Sequence, residues 1–331
     1  MTQGDEIPID HLLTKVWTRY HLEFPRLQQQ VDGDDSEVDF VSLPRWELGE
    51  HLMGLLVLDE DDSVSGVSGE MIEAWGGDAA QLCGEAELRT AGLVGVWGIM
   101  DAEDGGPGRL IIPDIDEAYA SSAFLCTAAF EGFGLADGAL ACAPTRGSFF
   151  MLEPGSLKLE TAFLEEIEKA TEEEGHPLCP VPLEWREGRW HAWTAPPDHP
   201  LGSRYRNLER VFLHHVYEEQ KELLDRLHGA RRESVFVATH VLHEVEAQAD
   251  YVSRAVWSRG VDSLLPRVDR IGFVDLKADP PIRLQVDWAD AVRITGHLME
   301  EVPGMHPPRY AVRAFPDDGA LGALRDLGEQ L

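Results

Sequence analysis

With 331 residues, 44% hydrophobic and 27% charged, the chain has the apolar content for a packed core and length for two ordinary domains, which excludes wholesale disorder. The formal charge of −32 is unevenly placed: residues 1–200 hold 39 acidic and 11 basic side chains, and residues 201–331 hold 21 and 17. Such a field repels nucleic acid and anionic lipid, so neither is an expected partner; it suits a basic protein partner, solubility or a salty cytoplasm.

The start, Met1-Thr2-Gln3-Gly4-Asp5-Glu6, lacks the basic and apolar regions of a secretory signal, and no apolar run reaches the 18 residues of a membrane span. Cys83, Cys126, Cys142 and Cys179 form no CxxC pair and are expected to be reduced, buried hydrophobes. Arginine far outnumbers lysine, as in GC-rich bacterial genomes. The expectation is a soluble bacterial cytoplasmic protein.

In chain order, residues 7–30 carry Leu12, Leu13, Val16, Trp17, Tyr20 and Leu27 at helical spacing, interrupted at Pro25. An acidic connector over 31–39 and a strand over 38–44 follow. Met53–Leu58 reads as a strand, and Ser68 or Gly69 opens a helix that Gly76-Gly77 kinks or breaks. Leu93–Met100 is a strand leading to the best-defined unit, Arg109–Leu152. There a strand is followed by a helix opened by Asp114 and Glu117 in a capping box, then by strands at Ala139–Ala143 and Ser148–Leu152 around a Pro-Thr-Arg-Gly turn. An acidic helix spans 157–174, Trp185–Trp190 forms a hairpin, and Thr194–Gly202 is a linker. The second half opens with a helix over 206–227 stopped by His228-Gly229. Strands at 234–245, 251–257, 270–276 and 282–286, a helix over 288–302, a strand at 309–315 and a helix over 317–327 complete it. This irregular alternation points to an α+β fold of two domains, 1–200 and 201–331, each a mixed or antiparallel sheet packed with helices.

Residues about 55–153 carry Met71-Ile72-x-x-Trp75, Ala79…Ala86-x-Leu88-Arg89, Asp116-x-x-Tyr119-Ala120-Ser121 and Gly138-Ala139-Leu140-Ala141-x-Ala143-Pro144. On these motifs that third of the chain resembles the YtpQ-like family of uncharacterised bacterial proteins, with Thr90 departing from the family's Asn-Leu-Arg pattern. The resemblance implies an α+β domain and no catalytic residues.

Walker A, G-x-S-x-G and H-E-x-x-H patterns are absent from the sequence. Asp59, Asp61, Ser63, Ser65 and Glu70 match oxygen-ligand positions of a twelve-residue calcium loop, but Val64 stands where the turn glycine belongs. Weak calcium binding is the most that follows, and no cofactor is expected. Strand alternation places His240 beside Glu244 as an acid–base pair and puts His243 on the other face. Trp185, Arg189, Trp190 and Trp193, with Arg146 at a hairpin tip, offer either interdomain packing or a binding face. Arg254-x-x-Trp257-x-Arg259 and Pro308-Arg309-Tyr310-x-x-Arg313 offer exposed cations and aromatics. The expected function is a non-catalytic module of immunity, adaptor or inhibitor type that engages a basic protein. The alternatives are a metal-dependent hydrolase using the 59–70 loop or the His240 strand, and a structural subunit.

Overall fold

The computed structural model describes residues 8–32, 45–60, 63–102, 107–115, 118–127, 130, 132, 134–172, 177–245 and 250–330. The strand expected at 38–44, most of the 31–39 connector, Asp61, Asp116, Glu117, Glu173 and Glu174 lie outside them. The chain is α+β, with antiparallel and mixed sheets. Among the described residues no helix is long and apolar enough to cross a membrane.

The segment expected to be one helix over 7–30 is a strand, β1 (Leu12–Thr18), followed by α1 (Tyr20–Asp32). β1 is buried at six of its seven positions, so it lacks the alternation that separates a half-buried strand from a helix. β2 (Arg45–Leu48) precedes β3 (Leu52–Glu60), which holds the expected Met53–Leu58 strand and turns back as β4 (Ser63–Gly66). The break expected at Gly76-Gly77 is real. Ser68 Oγ accepts the Met71 N–H at 3.2 Å to cap α2 (Gly69–Trp75), and Gly76 ends it at φ +66°, a left-handed conformation that suits glycine. Asp78 then caps α3 (Ala79–Leu93) through the Gln81 N–H at 2.9 Å.

β5 (Val94–Asp101) and β6 (Arg109–Ile115) follow. β6 runs through Asp114, so that residue belongs to a strand, while Glu117 lies outside the described residues; the apolar stretch beyond contains a 3-10 helix at Ala120–Leu125. β7 (Leu140–Thr145), β8 (Phe150–Glu153) and α4 (Leu157–Glu172) match their sequence signals, and the expected Trp185–Trp190 hairpin is the turn between β9 (Pro177–Arg186), which extends back through the Pro-rich stretch, and β10 (Arg189–Ala192). α5 (Gly202–Arg231) runs through Gly229, since one interior glycine costs only about 1 kcal/mol in a helix. The β-rich run at 234–245 is interrupted: β11 (Phe236–Val237) and β12 (Val241–Val245) are separated by Ala238–His240. β13 (Asp250–Ser258), β14 (Ser263–Pro266), β15 (Arg270–Asp275), β16 (Ile282–Asp287), α6 (Trp288–Thr295), β17 (Glu300–Glu301), β18 (Arg309–Val312), α7 (Asp318–Arg325) and β19 (Glu329–Gln330) complete the chain.

Two compact units emerge, Met1–Arg19 with Val38–Leu208, and Tyr20–Glu37 with Glu209–Leu331. The Pro-rich segment near residue 200 therefore lies inside the first unit, and the division falls within α5.

In the first unit, β1-β3-β2 with β4 on β3 form an antiparallel sheet. Leu12, Leu56 and Leu58 pack on Ile72, Leu82 and Ala86 of α2 and α3. Thr90 links α3 to β1: its Oγ1 accepts the Thr14 N–H at 2.9 Å and donates to the Ala86 carbonyl at 2.9 Å. The second sheet, β10-β9-β7-β8-β6-β5, is also antiparallel and buries Leu140, Cys142 and Leu152 against Leu159, Phe163 and Tyr205 of α4 and α5.

In the second unit, Tyr20 and Phe24 of α1 pack on Phe212, Val216 and Leu223 of α5. One sheet has the order β11-β14-β18-β17 and the other β12-β13-β15-β16-β19; β11 pairs parallel with β14, and β13 with β15. Trp257, Ile271, Phe273, Leu284 and Val286 project from the five-stranded sheet into a core completed by Leu321 and Leu324 of α7.

Candidate ligand-binding cleft

The opposite face of the five-stranded sheet carries a candidate site. Strand alternation dictates it: with Ala255, Trp257, Ile271, Phe273, Leu284 and Val286 turned to the core, Arg254, Val256, Gly272 and Gln285 face away from it. The registers align Val256 with Gly272 and Gly272 with Gln285, so these three form one row across β13, β15 and β16. Gly272 contributes no side chain and leaves a depression at the centre of the row. Walls rise from Val241 and His243 of β12 and from Phe236, Ala238 and Thr239 before it. The cleft, open to solvent along one side, has a volume of about 370 Å³, inside the range of roughly 300–1,000 Å³ typical of small-molecule sites.

Two polar groups in this mostly apolar cleft lack protein partners among the described residues. Gln285 is 7% exposed as a residue, and its side-chain amide, which is not among the fully buried polar atoms, makes no hydrogen bond to the described residues. Arg254 is half-buried and forms no ion pair, and its Nε is buried without an acceptor. Nearby arginines differ. Arg270, beside Arg254 in register, meets Asp287 at 3.2 Å and Glu329 at 3.5 Å; Arg259 meets Asp275 at 2.6 Å; Arg210 meets Asp250 at 2.7 Å and Asp269 at 2.9 Å.

Behind the cleft, Ala238–His240 is pinned by a buried polar cluster. Arg309 is 0% exposed, and the exposed cation expected there is a correction. Its guanidinium donates to Gln220 Oε1 at 2.5 Å and to the carbonyls of Ala238 at 2.9 Å, Leu264 at 3.2 Å and Tyr217 at 3.1 Å. Burial pulls its pKa down to about 10. His240 also departs from expectation. It precedes β12, is 2% exposed, and stacks on Tyr217 with ring centroids 5.1 Å apart at 20°; Glu244 is exposed on β12. Its Nδ1 has no hydrogen-bond partner among the described residues, and burial, aided by nearby His214, lowers its pKa to about 4. A histidine so held is neutral at physiological pH.

The other sequence candidates fall elsewhere. Trp185 and Trp190 are 3% and 7% exposed, face each other in the β9–β10 register, and pack edge-on with Phe130. Trp190 Nε1 donates to the Phe124 carbonyl at 3.0 Å, so both indoles are core of the first unit and do not form a binding face. Trp193 packs on Tyr205 at 4.7 Å and on His199. Arg189 is exposed, while Arg146 lies 5.5 Å over the Trp17 ring. Trp257 is core, while Arg259 and Arg313 are exposed cations paired with Asp275 at 2.6 Å and Glu300 at 3.8 Å.

The 59–70 segment is a β-hairpin followed by a capped helix. Asp59 pairs with Val64, Glu60 with Ser63 and Leu58 with Ser65, and Glu70 is exposed in the first turn of α2. Extended pairing does not wrap oxygen ligands around one centre as a calcium loop does. The Asp59 carboxylate accepts a hydrogen bond from the Tyr119 hydroxyl instead.

The cleft itself is poorly marked in sequence. Arg254 belonged to a noticed Arg–aromatic pattern, but Gly272 and Gln285 gain meaning only from the strand register. Comparison of the chain with family models, with curated proteins and with solved structures gives no match.

Proposed function

We propose that the chain is a non-catalytic binding protein whose C-terminal unit holds a small molecule with an apolar body on the outer face of the five-stranded sheet. The observation that carries this reading is the row Val256–Gly272–Gln285, in which a glycine opens an apolar depression walled by Phe236, Ala238 and Val241 beside the partly buried Arg254, whose Nε has no acceptor among the described residues. The test is a thermal-shift screen of small amphiphiles on the full chain and on Val256→Asp, which sets a charge on an exposed cleft residue. Shifts present in the parent and lost in the variant are expected. No shift with the parent, or equal shifts in both, overturns the reading.

A second reading, engagement of a basic protein by the acidic N-terminal half, is favoured by the 39 acidic against 11 basic side chains in residues 1–200. Glu165 and Glu172 on α4, and Asp137 and Glu187 near the β9–β10 turn, are among the exposed acids. Affinity for such a partner falls steeply with salt, so capture from a host lysate at low and high ionic strength tests it. A captured basic protein retained equally at both would refute steering by charge.

A further inference from the structure

We infer that the cleft selects an anion, a monocarboxylate with an apolar tail, whose carboxylate pairs with Arg254 while the tail lies over Gly272 between Val241, Val256 and Phe236. This rests on the cleft being a ligand site, and three observations set the charge of the ligand.

The first is composition. The chain has 60 aspartates and glutamates against 28 lysines and arginines, yet among the described residues no acidic side chain lines the cleft, and the ionisable side chains there are Arg254 and His243. The second is the state of Arg254. Its neighbours on adjoining strands have carboxylate partners within 3.5 Å, whereas Arg254 has none among the described residues and holds a buried Nε without an acceptor. A planar guanidinium accepts a carboxylate through two parallel N–H···O bonds, and partial burial strengthens that pair by excluding water. The third is the lining. Phe236, Val241 and Val256 are 51%, 38% and 45% exposed, a concentration of solvent-facing apolar side chains beside one cation. An apolar tail covers them, and a wholly polar anion such as inorganic phosphate leaves them in water. Gln285, roughly 10 Å from β13 by two strand spacings, can donate to or accept from a further polar atom of the ligand.

Isothermal titration of the full chain with octanoate, 1-octanol and octylammonium tests this, with Arg254→Gln and Arg270→Gln as variants. Arg270 lies on the same sheet face, so its neutralisation controls for a general change of field. The expected order is octanoate at least tenfold tighter than octanol, with octylammonium weakest. Arg254→Gln should bring octanoate to the octanol level and leave octanol unchanged, and Arg270→Gln should change octanoate binding less than twofold. Octanol binding as tightly as octanoate, or an equal loss in both variants, overturns the anion inference and leaves the apolar site standing. No binding by any of the three probes removes both.

Discussion

His240 makes the stability of the C-terminal unit acid-sensitive in a calculable way. The ring is 2% exposed and stacked on Tyr217, and its pKa falls from 6.5 to about 4 because burial, and then His214, disfavour the imidazolium. Above pH 6.5 the residue is neutral in both folded and unfolded chains and adds no pH dependence. As pH falls below 6.5 the unfolded state takes up the proton first, so unfolding becomes easier until the folded residue also titrates near pH 4. At about 1.4 kcal/mol per pH unit over that window, the penalty is about 2 kcal/mol at pH 5 and about 3 kcal/mol at pH 4. The perturbation is His240→Gln, which removes the titration. Urea unfolding of parent and variant at several pH values between 7.5 and 4.5, followed by hydrogen exchange at the amides of β13 and β15, gives the difference in stability free of the carboxylates both share. The variant should gain on the parent by about 2 kcal/mol between pH 7 and pH 5. A difference that stays constant with pH would show that His240 is not held neutral, and the burial argument would fail.

Three other substitutions have defined outcomes. Arg309→Met strips donors from Gln220 and three buried carbonyls and should cost about 3 kcal/mol or more in urea unfolding; Arg309→Lys should rescue little, because an ammonium cannot span all four acceptors. Thr90→Val leaves the buried Thr14 N–H without its acceptor and should lower stability by about 1–3 kcal/mol by the same assay, while a neutral result would mean the bond between β1 and α3 is replaced. Trp190→Ala should cost about 3–5 kcal/mol in the first unit, as truncation of a buried indole does. If Trp190→Ala instead weakened capture of a basic partner without changing the unfolding midpoint, its assignment to the core would be wrong.

The fold was legible where local chemistry decides structure. Ser68, Gly76 and Asp78 punctuate α2 and α3 at the positions their side chains and φ angles require, and the acidic face of α4 follows from its spacing. It was illegible where tertiary burial overrides period. β1 has Leu12, Leu13 and Val16 at helix-like intervals because both strand faces are covered, and β14, β17 and β19 are too short to show any period. The same limit hid the site. Whether Arg309 is a surface cation or an interior clamp depends on the carbonyls of Tyr217, Ala238 and Leu264, which are distant in sequence. Trp-rich hairpins suit interfaces and cores equally, and only the pairing of Trp185 with Trp190 against Phe130 separates the two.

Arg309 reaches the cleft without lining it. Its Nη1 holds the Ala238 carbonyl, and Ala238 and Thr239 form part of the wall, so the shape of the opening is fixed from the interior by a residue no ligand touches. Residues on the inner side of that wall, Gln220 and Tyr217 among them, therefore set the shape of the opening as much as those in view. Selection acting on the ligand would leave its record deep in the unit, and altering what the cleft accepts would require redesigning its foundation along with its surface.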